Sequence, residues 1–112
     1  MKVLNSTAGI DKRQQYKLYK PANPVSVKEV PDDTLITVTL WMEYEDENSD
    51  GEMVTILSIY DDSAEKTYQS NSATFRREFT DMVQMLGDEG LIIIKKSGVT
   101  KADRPFVTCV LA

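Results

Sequence analysis

Twelve side chains in this sequence could do chemistry of one kind, because they are flat rings and cations at short spacing: Tyr16, Lys17, Tyr19, Lys20, Trp41, Tyr44, Tyr68, Lys95, Lys96, Lys101, Arg104 and Phe106. Rings offer faces on which unstacked bases can lie, and cations neutralise phosphates. Together they make the surface that a single-stranded nucleic acid needs. Other chemistry is harder to build. The chain has no histidine and one cysteine, which excludes Ser-His-Asp and Cys-His catalysis, His-liganded metals, zinc clusters of cysteines and an internal disulfide. No phosphate-binding loop, dinucleotide fingerprint or G-x-S-x-G is present. Asp46-x-Asn48-x-Asp50-Gly51 begins like a calcium loop, but Leu57 stands where the bidentate Glu belongs, so it reads as a solvated turn. Cys109 lies in an apolar run and reads as core. The expectation is a binding protein, not an enzyme, with no cofactor and no metal.

The elements that must position these side chains follow from periodicity. Leu35 to Glu45 alternates with a period of two and is rich in β-branched and aromatic residues, which predicts a strand. Ile36, Val38, Leu40, Met42 and Tyr44 fall on one face, and Trp41 falls on the other with Thr37, Thr39 and Glu43. On that pattern Trp41 is expected to be exposed. An acidic turn, Asp46 to Gly51, leads to a returning strand from Glu52 to Tyr60. After a short segment at Lys66 to Gln69, the apolar spacing of Phe75, Phe79, Met82 or Val83, and Leu86 changes to that of an amphipathic helix. Asn71 or Ser72 would cap its start and Gly87 its end. Leu91 to Lys96 and Phe106 to Leu111 read as two more strands. Arg13 to Tyr19 reads as the first strand, preceded by a loose arm over 1–11.

The expected order is three strands, a helix and two strands in one domain over 12–112. That is a mainly β fold, an OB-fold-like five-stranded barrel with one helix between strands 3 and 4.

Charge is segregated along the chain. Five basic residues and no acidic ones lie between Lys12 and Lys28, and twelve acidic and no basic ones between Glu29 and Glu65. Lys95, Lys96, Lys101 and Arg104 then face only Asp103. The net charge of −5 repels a polyanion, so binding must rest on the local field of the basic segments and be strongly salt-dependent. Contacts between copies along the strand, or a homo-oligomer, would then help. The 112 residues contain no long apolar run and no signal-peptide core at the start, so no membrane is expected and the host cytoplasm is the expected location.

The order of these features resembles the single-stranded DNA-binding proteins of small protein-primed tailed phages, from about Tyr16 to Leu111. The resemblance is carried by Pro31-Asp32-Asp33-Thr34 before a β-branched strand ending in Tyr44, and by the acidic hairpin loop. Thr55 to Ile59, Tyr68 ahead of the helix and the Lys101 to Phe106 lead-in to the last strand complete it. It implies an OB-type fold that covers single strands during phage DNA replication, with Tyr44 and Tyr68 as contacts; Trp41 has no counterpart in it. The competing reading is an acidic DNA mimic, or protein-binding inhibitor module, built on the Glu29 to Glu65 block.

Overall fold

The long alternating segment is where the architecture is decided. In the computed structural model, which describes residues 1–112, it is two strands, β3 (Leu35–Thr37) and β4 (Leu40–Glu47), joined at a bend. At the bend Val38 N–H donates to the Leu91 carbonyl and Thr39 N–H to the Tyr60 carbonyl, both at 2.9 Å. Two consecutive residues thus bond to two different sheets. The bend shifts the alternation by one position, which moves every later side chain to the opposite face. Ile36, Val38 and Trp41 therefore share the main core, and Leu40, Met42 and Tyr44 face the other way.

Strand β5 (Met53–Asp61) returns from β4 in the expected hairpin, with Glu47 opposite Met53. The acidic tip is an Asn-centred turn in which Asn48 Oδ1 accepts the Asp50 and Glu52 amides, and Gly51 supplies the positive φ of 80°. Strand β6 (Lys66–Ser70) pairs antiparallel with β5. Two outer strands complete a five-stranded sheet ordered β1-β4-β5-β6-β2: β1 (Lys2–Ser6) beside β4, and β2 (Pro24–Ser26) parallel to β6. The N-terminal residues expected to be a loose arm are thus a sheet edge. Strands β7 (Ile92–Val99) and β8 (Pro105–Leu111) form a second sheet with β3, ordered β3-β7-β8.

Arg13 to Tyr19 is not a strand. It belongs to helix α1 (Lys12–Tyr19), started by a reciprocal capping box. Asp11 Oδ1 accepts the Gln14 amide at 2.8 Å, and Gln14 Oε1 accepts the Asp11 amide at 3.0 Å. Gln, Lys, Arg and Leu are good helix formers, so local preference agrees with the cap. Helix α2 (Ala73–Leu86) begins at Ser72, whose Oγ accepts the Phe75 amide, and stops at Gly87, as its sequence predicts.

The fold is mainly β, as expected, but the sheets stay open and no barrel closes. Nor does one helix separate strands 3 and 4: there are eight strands and two α-helices, α2 following β6. The main core, with Trp41, Leu57, Ile59, Tyr68, Phe75, Phe79, Ile93 and Val107, joins the two sheets and α2. A smaller cluster of Leu18, Met42 and Tyr44 lies on the other face of the five-stranded sheet, where α1 packs. No helix is long and apolar enough to cross a membrane.

Candidate nucleic-acid interface

Three of the expected stacking rings are inside. Trp41 is 1 % exposed, donates its indole N–H to Asp88 Oδ2 at 2.8 Å and meets the Phe79 ring edge-on at 5.3 Å. Tyr68 is in the main core, where burial raises its phenol pKa. Tyr44 is under α1, against Leu18 and Met42, and burial raises its pKa as well. Its hydroxyl accepts from Gln69 Nε2 at 3.4 Å. The two tyrosines implied by the resemblance and the tryptophan picked out by alternation are therefore corrected to core residues. The reasons differ. Trp41 is turned inward by the slip at Val38–Thr39, whereas Tyr44 is covered by a helix whose docking periodicity cannot report.

Two of the expected phosphate-binding lysines are engaged by the acidic turn. Lys95 is buried and donates to the Val30 carbonyl at 2.7 Å and Asp32 Oδ1 at 2.9 Å. Lys96, half-exposed, pairs with Asp33. The Lys95 and Ser97 bonds hold the Asp32 carboxyl below its ordinary value, and the Asp33 bond raises Lys96. Pro31-Asp32-Asp33-Thr34 is consequently a clasp on β7, reinforced by amide bonds in both directions between Asp33, Thr34 and Lys95. Lys95 is corrected from phosphate ligand to structural clamp.

The remaining candidates fall into two groups. Tyr16, Lys17, Tyr19 and Lys20 come together on α1 and its C-cap, and the helix adds Lys12 and Arg13, which are not among the twelve residues singled out by their types and spacing. Tyr16 is 65 % exposed, while Leu18 on the opposite side anchors the helix with its carbonyl accepting from Ser58 Oγ at 2.7 Å. Tyr19 is half-buried. Its hydroxyl donates to Asp46 Oδ2 at 2.9 Å, which raises the phenol and lowers the carboxyl, and its ring meets Tyr44 edge-on at 5.5 Å. The Lys20 ammonium stands 4.8 Å from the Tyr19 centroid. Beside this helix is a cleft of about 500 Å³ walled by Tyr16, Lys17, Lys20, Leu40, Tyr60 and Thr67, with Glu65 as its one carboxylate.

The second group is on the β7–β8 hairpin. Lys101 and Arg104 are exposed at its tip and make no ion pair, and Phe106 is half-buried opposite Gly98. Because α1 packs on the outer face of the five-stranded sheet and β7–β8 packs through Ile93 and Val107 on the main core, the core separates the groups.

Comparison with protein-family models, with curated proteins and with solved structures finds no match for the chain.

Proposed function

We propose that this chain binds and covers single-stranded DNA without strong sequence preference, and that α1 with the adjoining cleft is its principal contact surface. One observation carries the reading: a strongly exposed ring, Tyr16, stands on a helix with Lys12, Arg13 and Lys17, at the rim of a cleft. A solvent-facing tyrosine set among cations is suited to base stacking with phosphate neutralisation. Along the chain these cations are set apart from the acidic block. The fold brings Asp46 and Glu65 of that block beside α1, but the charged side chains on the exposed face of the helix are all cations, whose local field opposes the repulsion of a net −5 chain.

Two further features support it. The resemblance to phage single-stranded DNA-binding proteins points to the same ligand and to a role in phage DNA replication. The connectivity is also compatible with an opened OB barrel. Counting β3 and β4 as one bent strand, three antiparallel strands lead into α2 and then a hairpin, and β3–β7 pairing joins the first strand to the fourth.

The test is fluorescence anisotropy of an end-labelled dT oligonucleotide at low salt, with a duplex of equal length beside it. Saturable binding at least about tenfold tighter for the single strand is expected, since bases must be free to stack. Equal retention of duplex and single strand overturns the reading. So does no binding, and capture of a basic protein instead would establish the acidic mimic.

A further inference from the structure

Phe106 and Gly98 face each other in the β7–β8 ladder, on the outer side of the three-stranded sheet. A Cβ placed on Gly98 would lie 2.7 Å from Phe106 Cζ and 2.9 Å from Cε1. The ring therefore lies across the space that any other residue at 98 would fill. Such a cover stabilises a strand glycine by itself. Here the ring is nevertheless only half-buried, and no other aromatic ring or cation stacks on it. The next pair on the same face is Lys96 and Thr108, and beyond the ring is a tip held by Thr100, whose amide donates to the Arg104 carbonyl and whose Oγ1 accepts the Arg104 amide. That tip carries the unpaired cations Lys101 and Arg104.

From this arrangement we infer that Phe106, whose ring tip covers Gly98, is a second base-stacking platform for single-stranded nucleic acid, with Lys101 and Arg104 as its phosphate contacts. The inference rests on the single-strand reading but adds a site across the core from α1. A short oligonucleotide can occupy either surface, and a longer strand must pass around the molecule to use both. The occupant follows from charge and shape: the unpaired cations Lys101 and Arg104 match a polyanion, and a partly exposed aromatic ring beside them matches a base.

The experiment has three arms. First, the wild-type chain is cross-linked with light to a dT oligonucleotide carrying 5-bromodeoxyuridine, and the attached peptides are mapped. Adducts at Phe106 as well as on α1 are expected. Second, Phe106→Leu and Gly98→Ala, which remove and displace the ring respectively, should each weaken a long dT oligonucleotide about tenfold, while Phe106→Tyr should bind normally. Third, Tyr16→Ala serves as the independent reporter of the α1 surface. If the wild type binds and Tyr16→Ala weakens it, yet position 106 yields no adduct and its variants bind normally, the second platform falls and the function stands. Absence of wild-type binding removes both. Should Phe106→Leu and Gly98→Ala fail to fold, the cross-link on the wild type decides.

Discussion

The Trp41 indole N–H donates to the Asp88 carboxylate at 2.8 Å, tying the start of β4 to the turn that follows α2. The same ring packs edge-on against Phe79 of that helix, so one side chain joins sheet, helix and loop. This bond makes the lone tryptophan a reporter of folding, not of ligand.

Asp88→Ala should therefore lower stability by about 1–3 kcal/mol, the cost of leaving a buried donor unsatisfied. Saturating dT should leave tryptophan emission of the wild type nearly unchanged. Chemical denaturation followed by fluorescence and a parallel dT titration check both. Strong quenching by dT would place Trp41 at the ligand.

Rings inside and outside should separate cleanly. Tyr44→Ala and Tyr68→Ala each truncate a core ring and should cost about 3–5 kcal/mol of stability. Tyr16→Ala should melt like the wild type and lose about 1–3 kcal/mol of dT binding. Thermal melts beside anisotropy titrations decide. An early-melting Tyr16→Ala, or a Tyr44→Ala that melts normally yet fails to bind, would reverse the assignment.

The lysines divide in the same way. Lys95→Met strands the Val30 carbonyl and removes the Asp32 partner, so it should destabilise by about 1–3 kcal/mol and leave the salt dependence of binding alone. Lys17→Glu should keep the fold and make the slope of log K against log salt shallower by about 0.7 for each phosphate that is no longer neutralised. Binding isotherms at several salt concentrations, with melts, measure both.

Acid should unfold the chain through identifiable carboxylates. Burial by itself would raise the Asp61 carboxyl, but bonds from Ser63 Oγ and the Thr37 and Ala64 amides outweigh it and hold it below its ordinary value of 3.8. Asp32 and Asp46 are lowered too, chiefly by Lys95 and Tyr19 respectively. A carboxyl depressed in the folded state stabilises it above the unfolded pKa, and that stability drains as pH falls through the folded one. The melting temperature should therefore hold down to about pH 4 and fall below it. The decline should be shallower in Asp61→Asn. An acid limb identical to that of the wild type would acquit Asp61.

Cys109 is buried beside Phe75, its thiol pushed up to about 12 by burial. It should resist a disulfide reagent at pH 8 in the native protein and react once denaturant unfolds the chain. Rapid native labelling, followed by absorbance, would contradict its place in the core.

Much of this fold is legible from local pattern alone. The acidic hairpin, helix α2 with Ser72 and Gly87 at its ends, and the last two strands follow from a period or a cap, and these act within a few residues. The α1 helix is legible too, in Asp11 and Gln14, whose spacing is that of a capping box; the alternating look of RQQYKLY conceals it. Tertiary structure alone decided which side of each ring meets water. The bend at Val38–Thr39 forms because those residues bond to Leu91 and Tyr60, far away in sequence, and a slip of one position inverts every face beyond it. Likewise Lys95 is a clamp because the fold brings Asp32 and Val30 to it across more than sixty residues. A strand's own sequence sets its alternation, but only the partner it pairs with, and whatever packs on top, sets which phase is buried.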